Sequence, residues 1–188
     1  MGIQARFLQI FEILLKAKYA LLYSIALDKN YIDISSDSII NVALDYYKNM
    51  KLSTYRMKSY YYKGRVCFNA KLYPQANIYF NLAEQDASNL SDNLYLGLIY
   101  GEMMRVFNIS YNFKEELSYA IKSYESYVES KSINHIMYSL LDIGISYFNQ
   151  KNFTKALLFN VYFLKYRYTL HMPCPGVKNI SFIPVLGH

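Results

Sequence analysis

The sequence predicts an all-α fold in which antiparallel helix pairs stack one after another, with about eight helices in total. Turn-forming residues are sparse: the 188 residues include only seven glycines and four prolines, and three of the prolines follow residue 172. No segment shows the alternation of apolar and polar residues between turn signals that is typical of strands. A pattern of aromatic and small residues recurs every 40 residues, which indicates a repeat architecture.

The helical spacing of apolar residues predicts helices that are joined by short polar turns. Ser36 before Asp37, Pro74, and Ser91 before Asp92 are suited to helix starts. The predicted helices span residues 4–28, 37–50, 54–71, 74–88, 92–110, 113–130, 133–151 and 154–169. We expect one domain over 1–170, followed by a non-repeat tail at 171–188. Within the domain, the expected units are an N-terminal helix pair at 1–50 and repeats at 54–90, 91–130 and 131–169.

Each repeat is centred on an aromatic residue at the turn between two helices. Small residues lie at fixed offsets from it, because a glycine or alanine at a helix crossing lets two helices approach while a neighbouring aromatic side chain fills the adjacent space. The middle copy departs from this pattern, with Met104 in place of glycine and Glu116 in place of alanine. The predicted packing residues are Gly64, Tyr73, Ala76, Phe80, Ala83, Phe107, Phe113, Gly144, Tyr147, Phe153 and Ala156.

Two stretches resemble the tetratricopeptide repeat, a helix–turn–helix unit. They are KGRVCFNAKLYPQANIYFNLA at 63–83 and IGISYFNQKNFTKALLF at 143–159. Both have a glycine in the first helix, an aromatic residue at the turn and an alanine in the second helix. The period of 40 exceeds the usual 34, and longer helices can absorb the difference. The resemblance implies a right-handed solenoid.

Residues 17–49 and the stretch that follows them are similar to tetratricopeptide proteins of Bacteroides and relatives. In that family such helices often form the sensory or scaffolding part of envelope-anchored or regulatory proteins, so the resemblance implies a possible place in the cell envelope. The chain's own features suggest a cytoplasmic protein instead. No run of about 18 apolar residues is present for a membrane span. The N-terminal stretch is expected to be an amphipathic helix, not an export signal.

In the register of this resemblance, the first helix of each repeat lines a ligand-binding groove. The arginine fork can bind a carboxylate through two hydrogen bonds, and an asparagine amide can pair with a peptide backbone. The predicted peptide-binding residues are Tyr61, Arg65, Asn69, Arg105, Asn108 and Asn149. The alternative is that Arg65 and Arg105 pair with nearby acids such as Glu102 on a surface without function. Binding of chaperone C-termini is disfavoured, because Glu102, Tyr138 and Asp142 occupy the positions of the family's carboxylate clamp. Asp142 itself is expected to be solvated or paired.

The sequence contains no phosphate-binding glycine motif, no Cys-x-x-Cys pair and no recognisable nucleophile, so we expect no enzyme activity and no cofactor. His171 and Cys174 lack further ligands nearby, which argues against a metal site. The net charge of +6 is spread along the chain, and no nucleic-acid partner is expected. The leading hypothesis is a scaffold or sensory module that binds a protein or peptide of unknown identity. The alternatives are a self-assembling structural protein that forms homo-oligomers and a fragment of a transcriptional regulator.

Overall fold

The computed structural model describes residues 3–169, and within this range the chain forms eight α-helices and no strand. The prediction of an all-α fold is therefore confirmed, and the helix ends agree with the predicted ones to within a few residues. The predicted tail at 171–188, with its His171 and Cys174, lies outside the described residues. The helices are α1 (Ile3–Lys29), α2 (Ser38–Tyr47), α3 (Thr54–Asn69), α4 (Tyr73–Leu90), α5 (Asn93–Ile109), α6 (Phe113–Glu129), α7 (Ile133–Asn149) and α8 (Phe153–Thr169).

Every helix packs mainly against the helices next to it in the chain. The pairs α1–α2, α3–α4, α5–α6 and α7–α8 are joined by packing of α2 on α3, α4 on α5 and α6 on α7. Further contacts link α1 to α3 and α3 to α5, which are first helices of successive pairs. This order of contacts is compatible with a solenoid, in which each unit buries its apolar face only against its neighbours.

The turns repeat with the same period as the sequence pattern. In six of the seven turns between the described helices, all but the one between α2 and α3, one residue other than glycine adopts a left-handed conformation, and the residue after it donates its N–H back into the preceding helix. For example, Leu72 N–H donates to the carbonyl of Cys67 at 2.9 Å, the arrangement of a Schellman turn. The left-handed residues within the pairs are Tyr31, Lys71, Tyr111 and Lys151, and those between pairs are Ser91 and Lys131. Since Tyr31 falls in the 40-residue register, α1 ends as the first helix of a repeat, which the sequence motifs did not indicate.

At two of the predicted helix starts, the observed capping interactions differ from the predicted ones. Ser91 adopts the left-handed conformation that ends α4, and it is Asp92 that caps α5 by accepting the N–H of Tyr95 at 3.1 Å. Asp37 lies at the start of α2, but its carboxylate makes no capping bond and pairs with Lys63 Nζ at 2.6 Å. Pro74 lies in the first turn of α4, as expected for a residue without an N–H.

The helices α3 and α4 pack together where the ring of Phe80 lies against Gly64. Phe80 has no exposed surface, and a Cβ added to Gly64 would lie 2.6 Å from its ring carbons. Ala76 and Ala83 on the same face of α4 are also fully buried. In the next pair, α5–α6, a glycine also meets an aromatic ring, but about two turns earlier on the same helix face, because a Cβ on Gly97 would lie 2.5 Å from the Tyr127 ring. Met104, which holds the repeat position of the glycine in the other copies, is therefore not the residue at which α5 and α6 approach most closely.

The remaining predicted packing residues contact aromatic or polar partners within their own pair. Phe107 stacks on Tyr119, Tyr147 stacks on Phe159, and a Cβ on Gly144 would lie 3.1 Å from Asn160 Oδ1. Tyr73, Phe113 and Ala156 are buried or half-buried. Phe153 differs from the prediction of a packing residue, since 59% of its surface is exposed and its ring meets only Phe148 edge-on among the described rings.

Candidate functional site

One candidate binding surface of the described residues is a groove of about 370 Å³ centred on α5. The first helices α3, α5 and α7 supply seven of its lining residues, and α6 supplies the eighth. Its walls combine apolar side chains with carboxylates, one amide and one guanidinium. The lining residues, which define the α5 groove, are Phe68, Met104, Arg105, Asn108, Ile109, Glu116, Asp142 and Ile145.

Glu116 places a buried carboxylate at the wall of the α5 groove. Its surface is only 1% exposed, and it accepts hydrogen bonds from Asn108 Nδ2 at 3.0 Å, Ser146 Oγ at 3.1 Å and Asn149 Nδ2 at 2.9 Å. These donors come from α5 and α7, so the single side chain on α6 connects three helices. All three donors are neutral, and no lysine or arginine of residues 3–169 forms an ion pair with Glu116.

Asp142 is the second carboxylate in the α5 groove, and it is half-buried. Within residues 3–169 it makes neither a hydrogen bond nor an ion pair, and it keeps part of its surface in solvent, in line with the solvated state that was one of the two expected from the sequence. Burial raises the pKa of Asp142 to about 6, with the nearby Glu102 and Glu116 adding to the effect and Arg105 opposing it. The side chain is therefore an ionisable group whose oxygens remain available in the groove.

Arg65 does not face the α5 groove. Its guanidinium pairs with Glu102 and, at 2.6 Å, with Asp28. This agrees with the alternative interpretation of the sequence, in which Arg65 pairs with nearby acids. Arg65 and Asn69 line a separate cavity of about 20 Å³, which has room for about one water molecule. The Asn69 amide donates to the carbonyl of Ile34 at 3.2 Å. Both side chains thus hold α3 against the N-terminal pair.

Tyr61 is also absent from the groove, which corrects its assignment as a peptide-binding residue. Its surface is only 3% exposed, and its ring packs edge-on against Tyr95 with centroids 5.6 Å apart. Burial raises the pKa of the Tyr61 hydroxyl well above its usual range. Tyr61 is therefore a core residue between α3 and α5.

Arg105 and Asn108 are the predicted residues that the structure brings into the α5 groove. The Arg105 side chain is 48% exposed, lies over the Phe68 ring with 4.6 Å to the ring centroid, and approaches Glu102 Oε2 at 3.2 Å. Asn108 uses its amide N–H to hold Glu116. Asn149 does the same from α7 without lining the groove. The two asparagines therefore position a carboxylate, instead of standing free for a peptide backbone.

The sequence reasoning missed Glu116 as a groove residue, although a signal for it was present. Glu116 stands at the repeat position where the other two copies carry Ala76 and Ala156, both of which are buried at a helix crossing. A glutamate in that register must either distort the crossing or be satisfied there by hydrogen bonds. The structure shows the second outcome.

We expect Asp142→Asn to stabilise the protein by about 1–2 kcal/mol at pH 7.5 and to have little effect at pH 4. The pKa of this carboxyl is about 6 in the folded state against an ordinary value of 3.8. Ionisation therefore costs stability above pH 6, and the cost disappears as the pH falls towards 4. Urea unfolding of both proteins at the two pH values measures the difference. Asp45→Asn, at an exposed acid, is the control, and equal stabilisation by Asp142→Asn at both pH values would contradict the prediction.

Comparisons with known proteins assign no family to this chain. No protein-family model and no curated protein matches the sequence. Among solved structures, BtubC (BKLC) from P. vanneervenii is similar, with a TM-score of 0.49 and 10% sequence identity over 98% of this chain and 94% of that chain. At this level of similarity, neither the fold nor the activity of this chain follows from the neighbour.

The described residues contain neither a candidate membrane span nor a candidate metal-binding cluster. None of the helices in residues 3–169 combines the length and the apolar character that crossing a membrane requires. In the same range, no group of three or more histidine, cysteine, aspartate or glutamate side chains is arranged to hold a metal ion.

Proposed function

We propose that this chain is a tetratricopeptide-like module without enzymatic activity that binds an extended peptide segment of a partner protein in the α5 groove. The observation that carries the proposal is the make-up of the groove. Phe68, Ile109 and Ile145 offer apolar contact surface, and polar side chains stand between them. Binding sites of this kind combine apolar walls with a few polar groups that fix orientation.

Two further features support this proposal. The groove is formed by the first helices of successive pairs, which in stacked helical repeats provide an extended binding surface. The 40-residue recurrence of the turns at Lys71, Tyr111 and Lys151 supports a repeat in backbone geometry as well as in residue type. A volume of about 370 Å³ suits a few side chains of an extended peptide and not a whole folded domain.

Selection of random peptides from a display library against the immobilised protein tests the proposal. We expect Ile145→Trp to abolish binding of the selected peptides, because the larger side chain fills the groove. Ile78→Trp is the matched control, since Ile78 is an exposed isoleucine on α4 outside the groove. Failure to recover any peptide, or equal binding by the Ile145 and Ile78 variants, would refute the assignment of the groove.

Self-assembly is a second candidate, and the N-terminal half of α1 favours it. The large apolar side chains there are exposed, with Phe7 at 75% and Leu8 at 70%. At the other end of the described chain, α8 exposes Leu157 at 66%. Packing of α1 from one copy on α8 of the next would continue the order of helix contacts seen within the chain. Light scattering coupled to gel filtration would then give a mass above 22.1 kDa that rises with concentration.

A further inference from the structure

We propose that the peptide bound in the α5 groove presents a lysine or arginine side chain to Asp142, with the buried carboxylate of Glu116 adding negative charge nearby, and that an adjacent apolar residue of the peptide packs on Ile109 and Ile145. This inference rests on the proposed function and specifies the chemistry of its partner. It also reverses the expectation drawn from the sequence, in which paired arginines were to bind an anionic group.

The charges that line the α5 groove favour a cationic ligand. Glu116 is bound only by neutral donors, and Asp142 has no donor among the described residues. Arg105 is the one cation that lines the groove, and it is shared with Glu102. The chain as a whole has 20 basic and 14 acidic residues, so an acidic groove does not follow from its composition. A cationic ligand would complement this local charge.

The Asp142 carboxylate lacks a hydrogen-bond partner that a cationic ligand could supply. A half-buried carboxylate without a hydrogen bond costs folding stability, and an asparagine or leucine there would avoid that cost. Such groups, with a raised pKa in a cleft, are frequent at functional sites. A lysine ammonium or arginine guanidinium entering the groove would supply the missing charge-assisted hydrogen bonds.

The apolar walls of the groove suit the aliphatic part of a lysine or arginine side chain. Lysine and arginine carry long aliphatic stems that pack on apolar surface while the charged end reaches polar partners. The α5 groove offers both parts, since Met104, Ile109 and Ile145 line the space beside Asp142. An anionic ligand fits less well, because Arg65 is held outside the groove and Arg105 is already paired with Glu102 and close to Asp142.

The composition of the selected peptides tests the inference. In selections against the unmodified protein we expect lysine or arginine to be enriched at one position next to an apolar residue. The same selection against Asp142→Asn should lose this enrichment while still recovering peptides. Asp45→Asn, at an exposed acid on α2, should leave the enrichment unchanged.

A resynthesised peptide from the selection gives the quantitative test. Replacing its basic residue by norleucine should weaken binding to the unmodified protein about tenfold or more, which is the usual contribution of a charged hydrogen bond. For Asp142→Asn the same replacement should change affinity less than about twofold, because the partner charge is absent. Arg105→Gln should strengthen binding of the basic peptide, because it removes a competing cation from the groove.

The outcomes separate this inference from the proposed function. Peptides that bind through the groove without a basic residue would overturn the inference and leave the proposed function standing. Enrichment of acidic residues, with weaker binding by Arg105→Gln, would overturn it in favour of an anionic ligand. Recovery of no peptide at all would overturn both.

Discussion

Replacing Phe80 by alanine is expected to lower the free energy of unfolding by about 3–5 kcal/mol. The Phe80 side chain has no exposed surface, and its ring fills the space that the missing side chain of Gly64 leaves between α3 and α4. The substitution loses the transfer free energy of the phenyl ring and leaves a cavity, since the buried Ala76 and Ala83 beside it cannot extend to fill the space. Urea unfolding followed by circular dichroism measures the loss.

Phe153→Ala is the matched control for this prediction. Phe153 is also an aromatic residue of the repeat pattern, but more than half of its surface is exposed, so we expect a loss below about 1 kcal/mol. Gly64→Ala should be destabilising when Phe80 is present and nearly neutral in the Phe80→Ala background, because the added methyl group then meets no ring. Equal losses for Phe80→Ala and Phe153→Ala would show that the α3–α4 contact is not a principal part of the core.

Arg56→Ala is expected to destabilise the protein by about 3 kcal/mol. The Arg56 guanidinium binds Asp86 through two hydrogen bonds, Nε to Oδ2 at 2.7 Å and Nη2 to Oδ1 at 2.5 Å. The Asp86 side chain is only 6% exposed, so removing its partner leaves a buried carboxylate without a compensating charge. Most of the expected loss is this desolvation cost and not the attraction between the two groups.

Two comparisons test that explanation of the Arg56 effect. The double variant Arg56→Ala with Asp86→Asn should recover part of the stability, because the neutral amide costs less to bury than a charge. Lys48→Ala removes an exposed ion pair with Asp45 and should cost less than about 0.5 kcal/mol. If Arg56→Ala has no larger effect than Lys48→Ala in urea unfolding, the pair between α3 and α4 does not stabilise the fold.

The sequence was sufficient to predict the helical class and the approximate helix bounds, for physical reasons that are local. Apolar spacing and the scarcity of glycine and proline act within one helix, and the small residues Ala76 and Ala156 mark helix crossings directly. The close crossing of the α5–α6 pair was missed, because it involves Gly97 and Tyr127, which lie outside the register of the other copies. Which of several glycines meets a ring depends on the packing of both helices.

The site was predicted less well, because partners distant in the chain decide whether a polar side chain is available. Arg65 and Arg105 occupy equivalent positions one repeat apart. Arg65 is nevertheless bound by Asp28 from the preceding pair, whereas Arg105 keeps an exposed face. No local pattern distinguishes them. Glu116 was detectable in principle as a charged residue at a crossing position, but its three hydrogen-bond donors appear only in the folded chain.

The hydrogen bonds of Glu116 have a mechanical consequence. The Glu116 carboxylate on α6 accepts hydrogen bonds from both α5 and α7, so it connects two successive helix pairs. The same side chain forms part of the groove wall. The same three bonds therefore contribute both to the packing between successive pairs and to the wall of the groove. A ligand charge beside Glu116 would act on the junction of the two pairs as well as on the groove.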